Sequence, residues 1–75
     1  MRIEYDAQAD AVYIQFREAA PGSVQNRQLT DEIIVDYGPD GRIVGIEILD
    51  ASEILGHDHG TVTFEVADPR VAAGA

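Results

Sequence analysis

Ile33-Ile34-Val35-Asp36-Tyr37-Gly38-Pro39-Asp40-Gly41-Arg42-Ile43-Val44-Gly45-Ile46-Glu47-Ile48-Leu49 is the stretch that decides the fold. Two runs rich in β-branched residues flank a Gly-Pro-Asp-Gly segment, whose Asp-Gly pair tolerates the positive φ angles of a tight hairpin. A loop of either two or four residues gives the same parity. It sets Ile33, Val35 and Tyr37 on one face with Val44, Ile46 and Ile48. The other face carries Ile34, Asp36, Ile43, Gly45 and Glu47. It is mixed rather than polar, so something is expected to cover part of it. Gly45 marks a gap in that face, against which other backbone or a ligand could press.

Upstream, Arg2 to Tyr5 and Ala11 to Arg17 alternate in the same way. If Ala7 to Asp10 form the loop, Asp6 opposes Ala11, Tyr5 opposes Val12 and Ile3 opposes Ile14. That register unites the two apolar faces, and Asp6 then sits where its carboxylate can accept backbone N–H groups of the turn. Ala19 to Ser23 read as loop, and Val24 to Thr30 as a polar edge strand anchored by Leu29. Downstream, Asp50-Ala51-Ser52-Glu53 has the form of an N-cap with an acid three residues on, and Gly56 suits a C-cap. A short helix near residues 51–55 is predicted, expected to lie over the mixed face. Thr61 to Val66 then alternates again, with Val62, Phe64 and Val66 together, and reads as a last strand. Asp68-Pro69 stops it.

The predicted fold is therefore mainly β with one short helix, a small α+β domain. Its antiparallel sheet has about five or six strands, built from two hairpins and an edge strand, with the last strand after the helix. Residues 1–68 are expected to form one compact domain and 69–75 a frayed tail. Seventy-five residues give a thin core, since a chain this short buries only roughly 60% of its unfolded surface.

Fourteen acidic residues against five arginines and no lysine leave a net charge of −9. A phosphate backbone or an anionic membrane would be repelled, so neither nucleic acid nor membrane is an expected partner. A basic protein is the macromolecule this field attracts. The chain has no cysteine, which excludes disulfides, thiolate metal sites and cysteine nucleophiles. A secreted domain of this size usually needs staples, so a cytoplasmic location is expected.

Few residues invite a chemical reading. His57 and His59, two apart in an extended segment, could grip one metal, but two ligands are too few and a solvated loop is the plainer reading. Asp36 and Glu47 face the same way on neighbouring strands. Paired carboxylates can divide acid and base roles, yet no nucleophile–base set or phosphate loop accompanies them. Asp6 and Asp10 supply too few oxygens for a calcium loop, and turn capping suits them better. No catalytic residue, metal site or cofactor is assigned. Tyr13 stands on a strand face that the main core does not need, which makes it an interface candidate. An apolar sheet face that so short a chain cannot cover invites association. A homodimer or higher oligomer is expected, with Tyr13, Phe16, Val62 and Phe64 as contact candidates.

Two blocks carry a resemblance. Tyr5-Asp6-Ala7-Gln8-Ala9-Asp10-Ala11-Val12-Tyr13-Ile14 is the first. The second combines Asp36-Tyr37 with Gly41 to Ser52. Together they resemble, over about residues 1–55, the small bacterial family catalogued as domain of unknown function 2283. The resemblance implies a compact mostly-β domain without established activity, and an antitoxin-type role beside small basic toxin-like proteins. The functional expectation is thus an acidic, non-enzymatic protein-interaction domain. Its alternative is a small metal or carboxylate enzyme using His57 and His59 or Asp36 and Glu47.

Overall fold

The computed structural model describes residues 1–56 and 61–67. Five strands, β1 (Arg2–Asp6), β2 (Ala11–Gln15), β3 (Gln25–Gln28), β4 (Ile33–Tyr37) and β5 (Ile43–Ile48), precede the single helix α1 (Ala51–Ile54). They form one antiparallel sheet in the order β1-β2-β5-β4-β3. A hairpin and a three-stranded meander are thus joined side by side, β2 against β5. The polar β3 forms one edge and β1 the other.

The first hairpin follows the expected register, with Ile3 opposite Ile14 and Asp6 opposite Ala11. Asp6 Oδ1 accepts the backbone N–H groups of Gln8 (3.0 Å) and Ala9 (3.2 Å), closing the turn by an Asx contact.

The β4–β5 hairpin sets Ile33 and Val35 on one face with Ile46 and Ile48, as expected, but by two compensating departures. Gly38 N–H donates to Arg42 O at 2.8 Å and Gly41 N–H to Gly38 O at 3.0 Å, with Gly41 at φ 79°. The loop is thus Pro39-Asp40-Gly41, a turn ending in a left-handed residue rather than a loop of two or four residues. An odd loop reverses the parity and sets Tyr37 opposite Ile43, not Val44. One step further in, Asp36 pairs with Gly45, leaving Val44 as an extra residue. The bulge restores the parity, so Val35 meets Ile46 and Ile33 meets Ile48.

Alternation across these registers places Ile3, Tyr5, Val12, Ile14, Ile33, Val35, Tyr37, Ile46 and Ile48 on one face. Among the described residues the buried apolar side chains are Val12, Val35, Val44 and Ala51, so the core is as thin as the length implies.

Three expectations need correction. Thr61 to Val66 is not a strand: residues 61–67 are irregular, exposed and outside the sheet. Alternation gives a segment two faces, but a strand also needs a partner edge, and this one pairs with none of the five strands. The sheet accordingly has five strands. The helix ends at Ile54, with Leu55 as its C-cap. Asp50 flanks the helix in the left-handed region at φ 50° and makes no side-chain cap. The positions 57–60 and 68–75, which include His57, His59 and the expected tail, lie outside the described residues.

Candidate functional site

Asp10 provides the cap that Asp50 does not. At the end of the first hairpin loop it adopts φ 50°, a conformation Asp tolerates better than most residues. Its Oδ1 accepts Ser52 N–H at 3.0 Å and the Tyr5 hydroxyl at 3.0 Å, and its Oδ2 accepts the Ser52 hydroxyl at 2.7 Å. The Asp10 carbonyl also accepts Ala51 N–H at 2.9 Å. The donors at the start of α1 are therefore satisfied from 42 residues away in sequence. The hydrogen bond to Asp10, ahead of desolvation and the charges of Asp10 and Asp6, raises the Tyr5 pKa above its ordinary value.

Tyr13 fills the gap at Gly45. A Cβ at position 45 would stand 2.7 Å from Tyr13 Cζ and 3.0 Å from the Ile14 carbonyl oxygen, so the phenol ring lies against bare backbone. The Tyr13 hydroxyl reaches over β5 to donate to Asp36 Oδ2 at 2.8 Å. Asp36 Oδ1 accepts the side-chain amide of Asn26 on β3. A polar row thus crosses from β2 to β3, and Tyr13, not the helix, covers this part of the mixed face. Desolvation, then the hydrogen bond and charge of Asp36, push the Tyr13 pKa up.

Asp36 and Glu47 are not direct cross-strand partners. Asp36 pairs with Gly45, while Glu47 pairs with Ile34 and Tyr13. Asp36 is engaged by two donors, the arrangement of a structural carboxylate. At the far end of β2, Arg17 donates to Asp40 Oδ1 at 2.8 Å, across an ion pair whose side chains are both nearly half exposed.

Charge divides between the sheet faces. Arg2, Glu4, Asp6, Asp36 and Glu47 lie on the Tyr13 side, where a cleft of about 310 Å³ is lined by Glu4, Asp6, Ala9, Ala11, Tyr13, Glu47 and Leu49. The opposite face carries one charged strand residue, Arg27, opposite Val35. There a cleft of about 390 Å³ is lined by Ile3, Val12, Ile14, Ile48, Leu55, Thr61, Val62 and Thr63.

The interface candidates therefore separate. Tyr13 is half-buried on the acidic face. Phe16 is exposed just beyond β2, while Val62 and Phe64 are 64% and 78% exposed in the segment beside the apolar cleft. Sequence reasoning missed Asp10 and Ser52 as a pair, because nothing local to either residue announces a contact so distant in sequence. Among the described residues, no group of three or more His, Asp or Glu side chains is placed to hold a metal. None of their helices is long and apolar enough to cross a membrane.

Comparison with curated proteins and with solved structures finds no match. A family profile does match, over residues 2–52. The matched span opens with β1, includes all five strands, and closes on Ser52, the residue that Asp10 holds. It covers more than half of the chain, which belongs to the family described as Protein of unknown function (DUF2283).

Proposed function

We propose that this domain is a non-enzymatic protein-interaction module whose acidic sheet face receives a basic protein partner, in the manner of an antitoxin. The carrying observation is the bias of charge: the carboxylates of Glu4, Asp6, Asp36 and Glu47 share one face with a single cation, Arg2, which pairs with Glu4 at 3.4 Å, and Glu4, Asp6 and Glu47 border one cleft. Clustered carboxylates of one sign speed encounter with a basic surface and discourage acidic ones. The engagement of Asp36 by Tyr13 and Asn26 supports a role in shaping that face rather than in proton transfer.

The test is retention of basic proteins from the source cells, measured at low and high salt with the wild type and with Glu4→Gln/Glu47→Gln. The reading expects binding that weakens with salt and weakens again in the double variant. Absence of binding at low salt removes it. The competing reading, a metal or carboxylate enzyme, is separated by calorimetry with zinc, nickel and manganese on tag-free wild type and His57→Ala/His59→Ala. Metal binding lost only in the variant would favour that alternative.

A further inference from the structure

The apolar face and the segment beside it are incompletely matched within one chain. Ile3 and Leu55 in the cleft wall are each 40% exposed. The segment 61–67 meets this cleft through Thr61, Val62 and Thr63. Val62, Phe64 and Val66, the alternating apolar set of that segment, are nonetheless 64%, 78% and 81% exposed. A phenylalanine so exposed, next to an open apolar cleft, is an anchor without its pocket.

Charge and area together point to the occupant. Copies carrying −9 each repel unless they meet where charge is absent. The only charged strand residue on the apolar face is Arg27, so two such faces can meet without apposing carboxylates. Five strands spaced about 4.8 Å apart, each about 17 Å long, give a face of roughly 400 Å². A stable dimer needs about 800 Å² per partner, so flat face against flat face is too little. The seven residues 61–67 add at most about 23 Å of chain to each side of the contact, which moves the buried area toward that requirement.

We propose that two copies associate through their apolar faces and exchange the 61–67 segments, Val62 and Phe64 of each entering the cleft lined by Ile3, Val12, Ile14, Ile48 and Leu55 of the other. This contact uses the face opposite the acidic one and is independent of the basic partner. The exchanged segment carries a single acid, Glu65, in the set that alternates with Val62, Phe64 and Val66.

Sedimentation at micromolar concentration tests the association, and engineered disulfides test the exchange. Wild type is expected to be a dimer. Phe64→Asp lies outside the sheet and should weaken the dimer by about 100-fold, with the circular dichroism of the sheet unchanged. Phe64→Leu should retain it. Because the chain has no cysteine, Ile3→Cys/Phe64→Cys introduces the only two thiols. On mild oxidation it should yield a covalent dimer. A monomeric wild type, a dimer indifferent to Phe64→Asp, or an internal disulfide within a monomer would each overturn the proposal. Glu4→Gln/Glu47→Gln should leave the dimer intact, so loss of the basic partner and loss of self-association are separate results.

Discussion

The two faces of this sheet solve different problems with the same five strands. On the acidic face, long-range side-chain contacts fix the surface: Tyr13 lies over Gly45, and Asp36 holds Tyr13 and Asn26. On the apolar face, packing depends on branched aliphatic side chains, and the buried apolar side chains of the strands are those of Val12, Val35 and Val44. One face is tied by specific hydrogen bonds and the other is left partly open. In a chain of 75 residues the apolar surface outruns the volume available to cover it. Among the described residues, one side of the domain is ordered by hydrogen bonds and the other carries an apolar cleft.

The strongest way to break this contrast is at Gly45. A Cβ there forces the Tyr13 ring away and crowds the Ile14 carbonyl oxygen. Gly45→Val should cost about 2–3 kcal/mol in denaturant unfolding despite valine's strand preference. Gly45→Ala combined with Tyr13→Ala should cost less than the sum of the two single changes, since each removes the reason for the other's penalty. Additive losses would show that the ring does not depend on the gap.

Asp10→Ala should come next, at about 1–2 kcal/mol, the scale of a lost helix cap. Asp10→Asn keeps both the tolerance of positive φ and an acceptor oxygen, so it should lose less. Hydrogen exchange at Ser52 N–H would report the same order, fastest in Asp10→Ala.

Tyr13→Phe should cost about 1 kcal/mol, one hydrogen bond to a partly buried carboxylate. It also carries a pH signature. Because the folded state raises the Tyr13 pKa above 10.0, its contribution is complete below that value and disappears as pH rises through the folded pKa. Alkaline titration of stability should therefore be shallower in Tyr13→Phe than in wild type.

The smallest effect belongs to Arg17 and Asp40. The Arg17 hydrogen bond, followed by the Arg42 backbone, lowers the Asp40 pKa below its ordinary 3.8. Its stabilising effect is present above that value and fades as pH falls through the lowered one. The pair is exposed, so Arg17→Met should barely change the melting temperature at neutral pH, and salt should erase the remainder.

Legibility in the sequence followed the range of the interaction. The Asp6 turn and the register of β1 with β2 were readable, because Asp6 contacts only residues two and three positions ahead. That Val35 and Ile46 share a face was readable for a less secure reason. An odd loop and the bulge at Val44 each shift the register, and the shifts cancel. The adjacency of β2 and β5 joins segments some 30 residues apart, and no local pattern marks it. The Asp50-to-Glu53 motif pointed to a local cap, whereas the cap came from Asp10, next to Tyr5 in space. Gly45 announced a gap, but its occupant was Tyr13, which sequence pattern alone had left free for an interface. The alternation of Thr61 to Val66 specified two faces without specifying a partner. That is why a strand was expected where the sheet has none.

If the acidic face receives the proposed basic partner and the apolar face the proposed second copy, the two associations answer to opposite physics, and their salt dependence in one titration tests this most directly. Screening relieves repulsion between copies of charge −9 and strengthens apolar contact between them, while it weakens attraction to a basic partner. Sedimentation of the chain alone and with a basic partner, across increasing sodium chloride, should show self-association tightening as the heterologous complex weakens. If both associations weaken together with salt, or neither responds, the division of labour between the faces is wrong.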